Sequence, residues 1–458
     1  MKKSMILALA AGTFLFSACG SDDALEGGVA QNDAAQQIVL QVASDGDGLQ
    51  TRAGRPLYSS ASLQSIENVR VLVYKADTKE IVYDSKKSLD WKKSLEYTTG
   101  GHGRRLTITL KGDDKIKDAG DYKIVAVGYS DNSDYIFAQE DVKADASFKN
   151  QTYSDITATL AAGKDAEEVF AGEADLKIDA DKNITNKTDG ELGAAVTMHR
   201  QVAGGFGYFM NIPAHIDGTK AKYLRLVMRS KNNVLTFNNF NRNFTTSGEN
   251  LKYVVNGSRS ATDAPVADAH FSAGTNVFTN GDDAYTLYSI DLDLWFPEGD
   301  KNGDGFLNEK DKWTHLESVN VALVKGSVFA GKFIVPFEKT ADQKTMELQL
   351  LDKGGHILKV WNVTIPAINT DETAGGVKDQ TASIFNVVRN HMYNIGVKVD
   401  QNIKPEPGKP DPNPDPTPDP DPDKPKPGTD EPEDLSKGQN LVLKVNDNWE
   451  TIHQLGIE

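Results

Sequence analysis

Short runs that alternate apolar and polar residues recur through most of this chain, and Gly, Asp, Asn or Ser clusters close each one off. Val69-Arg70-Val71-Leu72-Val73-Tyr74, Ile81-Val82-Tyr83, Leu106-Thr107-Ile108-Thr109-Leu110 and Tyr122-Lys123-Ile124-Val125-Ala126-Val127 belong to a first series. A second begins near Ala195 and includes Gly207-Tyr208-Phe209-Met210, Leu224-Arg225-Leu226-Val227-Met228 and Val319-Asn320-Val321-Ala322-Leu323. It ends in a hairpin from Met346–Leu350 to Ile357–Trp361 around Lys353-Gly354-Gly355. A two-residue period sends alternate side chains to opposite faces of a strand, so these runs predict antiparallel sheets that pack as sandwiches. No stretch keeps a helical period long enough for an α/β scaffold. The expected fold is all-β, with two β-rich domains dividing between about Gly163 and Ala195.

The two ends carry strands that nearly repeat one another, Ile38-Val39-Leu40-Gln41-Val42 and Leu441-Val442-Leu443-Lys444-Val445. The second lies beyond a tether from Lys404 to Pro432 in which proline alternates with Asp, Glu, Lys and Thr. Such a composition cannot form a core and favours extended polyproline II, with a reach on the order of 90 Å for roughly 30 residues at ~3.1 Å each. The roughly twenty residues after it are too few for a core of their own. Interchangeable strands at opposite ends point to a subunit that replaces its own strand with a neighbour's.

Met1-Lys2-Lys3 followed by an apolar run from Met5 to Phe16 is too short to span a bilayer as a helix and reads as a secretory signal. It ends Phe16-Ser17-Ala18-Cys19, which resembles the bacterial lipoprotein box that leaves a lipidated cysteine, here Cys19, at the new N-terminus. Cys19 is the only cysteine, which excludes an internal disulfide framework. The net charge of −16 argues against nucleic acid and anionic membrane surfaces as partners, since either needs a basic face.

Asp300-Lys301-Asn302-Gly303-Asp304-Gly305-Phe306-Leu307-Asn308-Glu309-Lys310-Asp311 follows the calcium-loop pattern, with oxygen side chains at the first, third and fifth places and glycine at the sixth. Asp300, Asn302 and Asp304 would turn oxygens onto one ion, Phe306 would offer its carbonyl, Asn308 would act directly or through water, and Asp311 would close the loop. The ion expected is a structural Ca²⁺, and the competing reading is an Asp/Asn/Gly-rich turn with no metal. Closure by Asp in place of Glu resembles the dockerin-type loop.

Enzymatic chemistry finds little support. The eight histidines are dispersed, with no His-Glu-x-x-His spacing and no Gly-x-Ser-x-Gly turn. Gly100-Gly101-His102-Gly103 lacks the strand-to-helix setting of a phosphate loop. Trp91, Trp295 and Trp361 read as buried sandwich aromatics more readily than as a carbohydrate platform. The chain is expected not to be an enzyme.

Asn386-Val387-Val388-Arg389-Asn390-His391-Met392-Tyr393-Asn394-Ile395-Gly396-Val397 resembles the terminal core strand of Bacteroidetes fimbrillins, in which Arg-Asn-His-x-Tyr precedes alternating apolar residues. Val169-Phe170-Ala171-Gly172 and His199-Arg200-Gln201-Val202-Ala203 look like that family's junction into its second domain. Leu441 to Val445, Trp449 and the ending Ile452–Glu458 are similar to the C-terminal region of the minor-fimbria shaft type. Gly20-Ser21-Asp22-Asp23 resembles the acidic surface-export signal of Bacteroidetes lipoproteins.

The resemblance implies two transthyretin-like β-sandwich domains, export as a lipoprotein to the outer membrane, cleavage after an arginine, and assembly into a type V pilus by donor-strand exchange. Carried onto this chain, cleavage falls after Arg52, or after Arg55, where Pro56 hinders a trypsin-like protease; the chain left uncut is the third course. The displaced strand is Ile38, Leu40 and Val42, and the donor strand is Leu441, Leu443 and Val445. The segments expected are 1–18 (signal), 19–52 (lipidated propeptide with the first strand), 53–175 and 176–402 (sandwiches), 403–436 (linker) and 437–458 (donor segment). The expected partners are copies of the chain or other fimbrial subunits joined head to tail, with a host or bacterial surface ligand for adhesion. A lipid-anchored, monomeric glycan- or matrix-binding protein is the competing reading.

Overall fold

The structure, a computed structural model, describes residues 36–42, 66–86, 89–90, 95–96, 104–138, 142–186, 193–228, 232–237, 255–258, 285–317, 319, 323–337, 346–365, 387–398, 430–437 and 441–446. Among them strands predominate, and the one α-helix is the four-residue Leu292–Trp295. The all-β class expected from the alternating runs is the fold observed.

A ten-stranded sheet takes up the first half. Its main strands are β1 (Gln36–Val42), β2 (Asn68–Lys75), β3 (Ile81–Asp84), β4 (Arg104–Leu110), β5 (Gly120–Tyr129), β6 (Phe170–Ile178) and β7 (Ala194–Arg200). They run in the order β3-β2-β5-β6-β7-β1-β4. Every neighbour along this path is antiparallel except β1 and β7, which are parallel.

Along β2 and β5 both faces of this sheet are apolar, and each face has its own core. Val69, Val71, Val73, Ile124 and Ala126 pack in one cluster with Ile38 and Leu40. Leu72, Tyr74, Val125 and Val127 turn to the other, which runs on through Phe206 and Trp295 to Leu443. The larger core is therefore continuous across the boundary expected between the two sandwiches. Double burial explains why Ile124-Val125-Ala126-Val127 is an unbroken apolar run where a one-faced strand would alternate.

The second half contributes β8 (Ala203–Met210), β9 (Tyr223–Met228), β10 (Tyr285–Asp291), β11 (Val328–Ile334), β12 (Met346–Leu351), β13 (Ile357–Thr364) and β14 (Met392–Ile395). β15 (Glu433–Asp434), β16 (Leu441–Val442) and β17 (Lys444–Asn446) complete it. One sheet runs β11-β8-β14-β17 with β15 beside β8, and the other runs β10-β9-β12-β13-β16. The hairpin read around Lys353-Gly354-Gly355 joins β12 to β13 antiparallel. Asp352 accepts the His356 backbone N–H at 2.9 Å across that turn.

Candidate strand-exchange site

β1 is an inserted strand. It pairs antiparallel with β4, Ile38 opposite Ile108 and Leu40 opposite Leu106, and parallel with β7, Ile38 opposite Ala194 and Leu40 opposite Val196. Ile38 and Leu40 are fully buried, and Val42 continues the ladder opposite Met198. The entrance is pinned by Gln36, whose buried amide oxygen accepts the Ile116 N–H at 2.8 Å. Its nitrogen donates to the Ile116 carbonyl at 2.8 Å and the Lys182 carbonyl at 2.7 Å. Nothing in the apolar alternation singled out Gln36; a polar residue opening a strand is ordinary, and only its partners across the fold give it weight. Arg52, Arg55 and Cys19 lie outside the described residues.

The C-terminal strand does not hang free. Leu441 pairs with Val363 at the edge of β13, and the Leu443 N–H donates to the Thr364 carbonyl at 2.9 Å. The chain then crosses to the opposite sheet, where Val445 lies opposite Tyr393 of β14. Leu441 and Leu443 are each 1% exposed and join the larger core. The donor candidate thus closes the seam between two sheets of its own chain. Val445, the third residue, is placed by its backbone register.

The motifs quoted at the domain junction meet in space. Phe170 pairs with Arg200 and Ala171 with His199. The Arg200 guanidinium forms a buried ion pair with Glu168 at 2.6 Å and donates to the Asn390 amide oxygen at 3.1 Å. The Asn390 N–H donates to the Val202 carbonyl, and Gly204 to that of His391. Arg200 is the knot that ties the end of the first sheet to the strand carrying Arg389–Tyr393.

The candidate cation loop turns sharply at its glycines. Gly303 and Gly305 take the left-handed conformation at φ 74° and 89°. Asp300 accepts the N–H groups of Gly303 at 2.8 Å and Gly305 at 2.9 Å, and Phe306-Leu307 pairs with Ile212-Pro213. Asp311, 5% exposed, accepts the N–H groups of Lys301 and Asn308 at 3.0 and 3.1 Å. The Asn308 amide donates to Asp304 at 3.0 Å and holds that carboxyl below its usual range, while Asn302 accepts the Asp304 N–H at 2.8 Å.

The donor set is all oxygen, which suits a hard cation. The carboxylates are committed to amides, however, and among the described residues no three His, Cys, Asp or Glu side chains converge as a cage. Asn308 faces Asp304 with its nitrogen, so holding an ion requires that amide to turn.

Gly326 supports this loop from below, at φ 84° with its Cα against the Asn308–Glu309 backbone. A side chain there meets backbone in a conformation that L residues rarely adopt. Gly326→Ala is expected to lower stability by about 1–3 kcal/mol, read by chemical denaturation; an unchanged midpoint would show that the loop gives way at no cost.

Trp295 and Trp361 are each 2% exposed, so neither is a platform for sugars; Trp91 lies outside the described residues. No protein-family model and no curated protein sequence matches the chain. Among solved structures, it is similar to the fimbrial anchor protein Mfa2 from Porphyromonas gingivalis at 9% identity and a TM-score of 0.33, over 81% of this chain and 93% of that one. A fimbrial assembly protein from Parabacteroides distasonis gives 11% and 0.32, over 79% and 91%. The tip fimbrial protein Mfa3 from Porphyromonas gingivalis gives 11% and 0.31, over 78% and 94%. Identities and scores of this size do not carry a function from one chain to another.

Proposed function

We propose that this chain is a structural subunit of a cell-surface fimbria, exported as a lipoprotein on Cys19, cut after Arg52 or Arg55 and polymerised by donor-strand exchange in support of adhesion. The observation that carries the reading is β1 itself. It is a separable strand with neighbours on both sides and two fully buried side chains, and both arginines lie between it and β2. Cleavage there turns β1 from a covalent part of the sheet into a bound peptide.

Loss of that peptide leaves unpaired edges on β4 and β7 above an apolar floor, a template for strand addition. Leu441 and Leu443 of a second copy match the spacing of Ile38 and Leu40. In its own chain the donor holds two short strands of two and three residues, whereas β1 spans seven with a neighbour on each side. Exchange therefore trades a partial ladder for a fuller one. The docked arm also favours a stored monomer before processing. A donor and an acceptor that are unlike surfaces join head to tail and need not close, so a filament results. Limited trypsin treatment followed by native electrophoresis and electron microscopy is the test: oligomers are expected, and a monomer after complete cleavage would overturn the reading.

The loop from Asp300 to Asp311 is proposed to take a structural Ca²⁺ through Asp300, Asn302, Asp304, the Phe306 carbonyl, Asn308 and Asp311. Calorimetry is expected to give calcium heats with the intact protein and none with Asp300→Ala/Asp304→Ala. Equal, negligible heats from both would leave a metal-free turn.

A further inference from the structure

The stretch read as one long tether ends in a docked post. Lys398 Nζ lies 3.0 and 3.1 Å from the two carboxylate oxygens of Asp430, with both side chains 3% exposed. The Tyr208 hydroxyl donates to Asp430 at 3.2 Å and accepts the Val324 N–H at 2.8 Å. Burial pushes that hydroxyl up to about 12, which keeps it a donor at neutral pH. Val397 and Glu431 exchange both backbone hydrogen bonds at 2.8 Å.

Beyond them β15 runs parallel to β8, Phe209 opposite Glu433, and Leu435 is fully buried with its N–H on the Met210 carbonyl at 3.0 Å. Gly396, at φ 78°, brings its Cα against the Tyr208 carbonyl and the Glu431–Glu433 backbone, an approach that a larger residue would block. None of these contacts uses residues 441–446.

The structure assigns residues 430–437 to an internal binding site on β8 and the segment Gly396–Lys398 that follows β14, latched by Lys398, Asp430 and Tyr208, which fixes the root of the C-terminal arm independently of the arm's own docking. A buried, geometrically complete ion pair with a third donor is suited to such a role, because removing one partner strands the other charge away from water. The consequence for assembly rests on the fimbrial reading: only residues 438–458 can move to a neighbour, and the Pro/Asp stretch does not set their reach. The root itself needs no polymer.

The test is made on the full chain with a site-specific protease sequence placed within residues 414–420 and with Leu441→Lys/Leu443→Lys to undock the arm. After cutting, the C-terminal fragment is expected to co-elute with the body in size exclusion. A fragment that elutes alone overturns the assignment. Adding Asp430→Ala is expected to speed fragment loss at least tenfold while the uncut protein keeps its elution volume; loss at the unaltered rate removes the latch role. Because the readout is retention of a fragment, failure to polymerise leaves this result standing, and loss of the fragment leaves the fimbrial reading standing.

Discussion

Arginine-specific cleavage is expected to convert the monomer into a ladder of oligomers, and Leu441→Lys/Leu443→Lys to remove every band above the monomer. Both leucines are almost fully buried where they now lie, and the β1 slot they would enter holds Ile38 and Leu40 without exposure. Burying each such side chain contributes ~1.5–3 kcal/mol, and ladder hydrogen bonds add about 0.5–1.5 kcal/mol apiece. Two lysines forfeit the apolar gain and bring two ammonium groups against an apolar floor. The substituted protein still vacates its slot, so a stoichiometric amount of unsubstituted, uncut protein, whose own slot is still filled by β1, should add one copy to it and then stop. A ladder unchanged by the double substitution would show that residues 441–445 are not the donor, whatever else joins the subunits.

Most of the strands were legible because period-2 alternation and turn residues are local, and so was the identity of β1 as a strand; of the run Val319–Leu323, read the same way, 320–322 lie outside the described residues and Val319 and Leu323 stand in no strand. What covers each face was not. Arg70 reads as the solvent-facing member of Val69-Arg70-Val71, yet it is 1% exposed because residues 142–148 lie across that face of β2. Gln349 reads the same way and is fully buried beside Arg225 and Glu347. At the site, the spacing of Ile38 with Leu40 and of Leu441 with Leu443 could be read, but not that the second pair returns to its own chain. A Pro/Asp composition argues only against a core in the stretch before it. Composition is nevertheless silent on Asp430, which leaves water because a single lysine and a single tyrosine from elsewhere in the chain meet it.

Removing the Asp84 carboxylate is expected to be the most destabilising single change outside the apolar core. Arg70 uses all five of its N–H groups: Nε and one Nη on Asp84 at 3.0 and 2.7 Å, and the rest on the carbonyls of Val142, Ala144 and Ala146. Its plane stacks 3.8 Å from the Phe148 ring centre, and Asp84 also accepts the Phe148 N–H at 2.7 Å. Asp84→Ala leaves a guanidinium that cannot lose its proton in a site buried from solvent, and unfastens the 142–148 segment at the same stroke. The expected cost is about 3–5 kcal/mol in urea denaturation. Arg70→Met/Asp84→Leu, which removes both charges and keeps the volume, should recover the part of it that belongs to the stranded charge, and not the part that belongs to the Val142, Ala144 and Ala146 carbonyls and the Phe148 N–H, which are without these partners in the double variant. A loss of less than about 1 kcal/mol in the single variant would mean that water reaches Arg70 and that the 142–148 segment does not seal that face of β2.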